Sequence, residues 1–238
     1  MNQKQRMRLT GALFVIGALL INIPYAMLIA SFDYPDILRD PAGSILVQFQ
    51  AGGAGLIWQW FAFAWIGLPL LAAVLLLPQV MEDSRLVRLA TPFGFAGLLV
   101  QVIGLLRWVF VVPVLAGIYN DPAASQTARD AAVVAFQVVN QIGGVLLGEH
   151  IGQILTIFWM SLVSLAMLRS PLFKPWLGWF GLAASVVYLL GQTEQLATVL
   201  PGVPVVPQAG FIGSLLWLGW MIVTGIFLLR RSNSAAAT

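Results

Sequence analysis

Polar and apolar positions alternate on a coarse scale along this chain. Residues 9–32, 41–81, 89–106, 131–148, 151–168, 175–193 and 195–229 contain no Asp, Glu, Lys or Arg. About 20 mostly apolar residues, at 1.5 Å rise each, cross roughly 30 Å of hydrocarbon as a helix. Trimmed at glycines, prolines and polar clusters, the charge-free intervals predict six spans at about 10–32, 53–78, 90–118, 146–168, 175–199 and 209–229. In lipid each span must satisfy its own backbone, so all six are expected to be helices, giving an all-α, six-helix membrane bundle in a single integral membrane domain over 1–238.

The fourth helix is too long for a simple span. Thr127, with Asp130 three residues on, forms a capping-box signal, and no proline follows until Pro171. A helix over 128–168 would be roughly 60 Å long, so it must tilt, project outward as an amphipathic segment over 128–145, or break. Gly143-Gly144 is the expected hinge. Gln137, Gln141, Gly144, Gly148 and Gly152 share a stripe whose glycines let another helix approach closely.

Charge sets the orientation. Of 12 basic residues, nine (Lys4, Arg6, Arg8, Arg85, Arg88, Arg169, Lys174, Arg230 and Arg231) fall on one side if the N-terminus is cytoplasmic. The opposite loops hold Arg39 and Arg129 among Asp33, Asp36, Asp40, Asp121 and Asp130. This positive-inside pattern requires an even number of spans and puts both termini inside. The basic N-terminus followed by an apolar stretch resembles a secretory signal, but its 24 charge-free residues exceed an h-region of about 7–15, so it reads as a retained first helix. Trp58, Trp60, Trp176 and Trp179 are expected in interfacial belts.

Composition then removes most chemistries. Hydrophobic residues are 60% and charged ones 9%, against about 45–50% and about 25% in soluble domains. Absence of cysteine excludes disulfides, thiolate zinc sites and cysteine nucleophiles. A single histidine, His150, leaves too few donors for a zinc or haem cage in one chain. Ser161 and Ser164 lie down the same helix from His150, and there is no G-x-S-x-G, P-loop or dinucleotide fingerprint. No metal is expected, no cofactor can be named, and the partners that fit are membrane lipids, a small molecule or amphiphile, or a second copy of the chain; nucleic acid does not fit.

The loops and prolines have expected roles too. Residues 33–52, with Pro35, Pro41 and the apolar run Ser44–Phe49 before Gly52-Gly53, should form a turn and a short interfacial helix. Pro201, Pro204 and Pro207 should hold the last outer loop extended. Pro24, Pro69 and Pro113 interrupt spans one to three and should kink them.

Three charges interrupt spans: Arg107, Glu149 and Glu194. An ionisable group in lipid costs about 2.5–3.5 kcal/mol on insertion scales, so such groups face a bundle interior and pair. Given the orientation, they and His150 fall in the outer half of the membrane, where Asn22, Gln59, Gln153 and Gln192 also lie. An outward-facing polar pocket is expected, with Arg107 holding an anionic or carbonyl group and Glu149, Glu194 and His150 exchanging a proton. Two other readings stay open: a non-catalytic module with a buried Arg–Glu salt bridge, and an intramembrane enzyme using Glu149 and His150. Trp217 and Trp220, at i and i+3, either pack or line a flat ligand.

Phe32-Asp33-Tyr34-Pro35-Asp36-Ile37-Leu38-Arg39, Arg107-Trp108 and Gly148-Glu149-His150 resemble a bacterial family of multi-pass membrane proteins known only as a domain of unknown function. The resemblance covers most of the chain and implies a polytopic protein of the bacterial cytoplasmic membrane. It brings no assigned reaction and therefore no catalytic residue.

Overall fold

The computed structural model describes residues 1–81 and 84–234. Among them every regular element is helical: α1 (Gln3–Phe32), a 3-10 turn (Asp36–Arg39), α2 (Ala42–Trp65), α3 (Leu68–Val80), α4 (Arg85–Phe110), α5 (Val112–Asn120), α6 (Gln126–Val139), a π-helical segment (Asn140–Ile151), α7 (Gly152–Arg169), α8 (Pro175–Leu190), α9 (Gln192–Ala197) and α10 (Ala209–Ser234). Five helical runs are long and apolar enough to cross a membrane: Gln3–Phe32, Ala42–Val80, Arg85–Asn120, Gln126–Arg169 and Ala209–Asn233. The expected span 175–199 is divided instead, because α8 ends after 16 residues and Gly191 separates it from the short α9.

Local chemistry explains most boundaries. Asp33 adopts a left-handed backbone (φ 51°) as the chain leaves α1, and Tyr34-Pro35 is a cis peptide. The 3-10 turn and the first part of α2 form the expected turn and short helix. Gly53 (φ 55°, ψ −153°) then kinks α2, a backbone that only glycine adopts at little cost. Pro69 and Pro113 open α3 and α5 rather than bending a continuous helix, which is where a missing N–H costs least. Pro24 sits within the unbroken α1.

The α6 cap differs from the expected one. Ser125, not Thr127, is the N-cap, with its Oγ accepting from the Ala128 N–H at 3.2 Å. Ser125 wins because its extended backbone (φ −67°, ψ 158°) points the hydroxyl back at the first turn, whereas Thr127 already lies inside the helix. Ser125→Ala should lower stability by about 1 kcal/mol in detergent unfolding, and Thr127→Ala should leave it nearly unchanged. The reverse order would restore Thr127 as the cap.

The chain divides into two compact units. The first comprises residues 1–19, 67–99 and 150–238, and the second 20–66 and 100–149. In the first, α8 packs against α7 and α10. Its core centres on Trp159, which meets Phe14 at 6.3 Å and Trp220 edge-on at 5.6 Å. Trp220 donates to the Leu177 carbonyl at 3.1 Å, and Trp217 is buried as well, so both tryptophans pack. Gly11 and Gly225 bring α1 and α10 together: a Cβ on either would meet the other's carbonyl oxygen, at 2.7 and 2.6 Å. Trp176 and Trp179 are exposed, as interfacial anchors require.

The second unit packs α5 between α2 and α6 around an aromatic cluster. Trp60 and Trp108 stack at 4.7 Å with planes 10° apart, edged by Phe32 and Tyr34. Trp60 is therefore core and not belt, contrary to expectation, while Trp58 is 68% exposed. Two residues apart on a helix is about 200° of rotation, so the two indoles cannot share a face.

Candidate functional site

The long run Gln126–Arg169 does not break at Gly143-Gly144. Its twelve residues Asn140–Ile151 widen into a π-helix, a form that otherwise appears mostly as single-turn bulges, frequently at functional sites. Adjacent glycines tolerate the wider turn, and the room they leave is filled by Arg107 from α4. A Cβ on Gly144 would lie 2.7 Å from Arg107 Nη2, and one on Gly143 would lie 3.0 Å from its Cδ. The guanidinium thus lies over the two glycines.

Its hydrogen bonds fix it there. Nη1 donates to the Gly104 carbonyl at 2.6 Å and Nη2 to Asn140 Oδ1 at 3.1 Å, while Cζ stands 5.2 Å from the Trp108 ring centroid. The Nε–H is buried and, among the described residues, has no hydrogen-bond partner. Glu149 and the Tyr34 hydroxyl both lie within electrostatic reach of Arg107. Tyr34, in the loop after α1, is pushed well above the ordinary tyrosine range by burial first and by Glu149 second, with Arg107 partly opposing. In the second unit, then, Arg107 bonds to Asn140 and lies beside the Trp108 ring, with Glu149 and Tyr34 within electrostatic reach.

A second polar group belongs to the first unit. His150 Nδ1 and Gln192 Oε1 are 2.8 Å apart, and Gln192 Nε2 donates to Gln153 Oε1 at 2.7 Å. Because the amide oxygen can only accept, His150 carries its proton on Nδ1 in this pairing. Gln192 is buried and joins two helices at that point. Glu194, in the first turn of α9, accepts from the Gly210 N–H of α10 at 3.4 Å. Gln59 accepts from Ser31 Oγ at 2.6 Å, and Asn22 is exposed on α1.

The glycine stripe also has an observed use. A Cβ on Gly104 would lie 2.5 Å from the Gly143 oxygen and 3.0 Å from Gly148 Cα. Gly97 packs less tightly, where a Cβ would lie 3.0 Å from the Gly152 oxygen and 2.9 Å from Thr156 Oγ1, which already donates to the Gly152 carbonyl at 2.8 Å. α4 therefore covers the stripe. Sequence reasoning missed Tyr34 as a partner of the charges, since a tyrosine in a loop beside three aspartates reads as solvent-exposed. Asn140 falls in the segment 128–145 expected to project outward, where a polar side chain is ordinary, so nothing tied it to Arg107.

The family described as Domain of unknown function (DUF4386) matches residues 9–225. No curated protein and no solved structure matches the chain. The match takes in every helix from α1 to most of α10, well over half of the 238 residues, and so the chain belongs to the DUF4386 family.

Proposed function

We propose that this protein is a six-span protein of the bacterial cytoplasmic membrane, with both termini inside, that binds or transports a small molecule or amphiphile through a polar pocket open to the outer face. The observation that carries this reading is Arg107: a guanidinium whose buried Nε–H has no hydrogen-bond partner among the described residues, seated on a π-helical turn. Buried donors are seldom left unpaired, and intramembrane charges usually mark ligand or ion paths. In this reading Arg107 takes the anionic or carbonyl group of the ligand, and Glu149 and Tyr34 supply the balancing charge and proton. His150, Gln153, Gln192 and Glu194 are a polar group of the first unit. The sixth crossing is α8 continued through Gly191 into α9, which supplies the even count that the nine inner basic residues require.

A structural module remains the second reading, favoured by the charge balance of Arg107 against Glu149. Burial of the glycine stripe beneath α4 weakens it, since that seam is not free for a partner helix. An acid–base enzyme is third, because Gln192 already engages His150 Nδ1. The test is purification in native nanodiscs followed by mass spectrometry of what is released. A molecule should co-purify with the parent and be depleted from Arg107→Gln and Glu149→Gln at retained stability. If nothing co-purifies and both variants merely melt early, the structural module replaces the pocket.

A further inference from the structure

A separate cavity of about 360 Å³ lies in the second unit between the end of α5 and the start of α6. It is lined by Tyr119, Asn120, Gln126, Arg129, Asp130 and Val133. Its size falls at the small end of ligand sites and corresponds to about a dozen water molecules. The lining is polar and carries one charge of each sign.

Its donors and acceptors are held in place with capacity left over. Arg129 Nη2 donates to the Asp121 carbonyl at 3.1 Å, which anchors the side chain, yet among the described residues its buried Nε–H has no hydrogen-bond partner. Asp130 Oδ1 accepts from Gln126 Nε2 at 2.8 Å, which orients the carboxylate and leaves Oδ2 as an acceptor. Asn120 gives both amide hydrogens to carbonyls, of Leu46 at 3.1 Å and Ala116 at 2.8 Å, so its Oδ1 is left to accept. The Tyr119 hydroxyl lies against the α2 backbone at Gly43, where any Cβ would collide with it. A simple anion would suit Arg129 but would be repelled by Asp130, and a simple cation would meet the reverse. A molecule bearing both charges satisfies both residues.

We propose that this cavity binds a small zwitterion, with Arg129 taking its carboxylate or phosphate as a forked guanidinium does and Asp130 taking its ammonium. Such a group comes either from a free amino acid or from a zwitterionic lipid headgroup. The experiment is titration calorimetry on the full chain in nanodiscs of anionic phosphatidylglycerol, with glycine, phosphoethanolamine, acetate and methylamine as probes. Glycine or phosphoethanolamine should bind saturably, and whichever is tighter identifies the source. Acetate and methylamine should each bind at least tenfold more weakly. Arg129→Gln should weaken zwitterion binding at least tenfold, and Asp130→Asn should erase the preference over acetate. Arg107→Gln should leave this binding intact, which separates it from the pocket above. Should Arg129→Gln fail to fold, Arg129→Lys, which keeps the charge but not the fork, should show the same loss more mildly. Absence of saturable binding by either zwitterion, acetate binding as tightly as glycine, or affinity indifferent to both Arg129 variants would overturn the proposal.

Discussion

Trp108→Ala is expected to destabilise the protein by about 3–5 kcal/mol, the usual range for removing a fully buried tryptophan. Trp108 is 0% exposed and sits at the centre of the aromatic cluster. It stacks on Trp60 at 4.7 Å and on Phe49 at 5.7 Å, and meets Phe32 at 5.5 Å and Phe136 at 6.0 Å. In a bilayer, burial against protein gains little over burial against acyl chains, so the loss is one of dispersion contacts and aromatic geometry. Four rings that pack on one indole cannot close the cavity together without leaving their own rotamers. The variant also removes the ring face 5.2 Å from Arg107 Cζ, so the binding proposed at Arg107 should fall with stability. Unfolding in mixed micelles followed by circular dichroism measures the first effect. Trp58→Ala, on an exposed indole 50 residues earlier in the chain, should change stability by less than about 0.5 kcal/mol. A loss below about 1 kcal/mol for Trp108→Ala would mean that the stack does not hold the second unit together.

Much of the helical architecture was legible from charge spacing because lipid imposes a length rule that needs no tertiary information. The run 9–32 became α1, and 209–229 fell inside α10, with only the ends moved outward by polar residues that helices carry past the hydrocarbon. Tertiary facts were less accessible. Trp58 and Trp60 look alike in sequence, and only their helical phase against Phe32 and Trp108 separates belt from core. Gly143-Gly144, the expected hinge, instead lies within a continuous widened helix, because whether such a pair bends or widens depends on what fills it. Here the filler is Arg107, 36 residues away. Likewise an electrostatic influence of Glu149 on Arg107 could be expected from the cost of lone charges in lipid, whereas that of Tyr34 could not, since nothing local marks a loop tyrosine as packed into the core.

Gly104→Ala is the second large effect, and it acts through the backbone. The added Cβ would lie 2.5 Å from the Gly143 carbonyl oxygen, 3.0 Å from Gly148 Cα and 3.1 Å from Gly148 N. All three are main-chain atoms of the π-helical segment, so no side chain can rotate away, and α4 must move or the segment must rewind. Overpacking of this kind costs about 1–3 kcal/mol, and a clash with backbone belongs at the upper end. Function should suffer more than stability, because the Gly104 carbonyl accepts the 2.6 Å hydrogen bond that aims Arg107. Gly143→Ala makes a milder comparison: its Cβ would meet Arg107 Cδ at 3.0 Å, a flexible side chain that can yield. Gly117→Ala on α5, where a Cβ meets nothing within 4 Å, should instead stabilise by about 0.5–1 kcal/mol through helix propensity. The order Gly104→Ala, Gly143→Ala, parent, Gly117→Ala in rising stability is the expected result. If Gly104→Ala proved as stable as Gly117→Ala, α4 could not be lying against the widened turn, and the seat described for Arg107 would have to be abandoned.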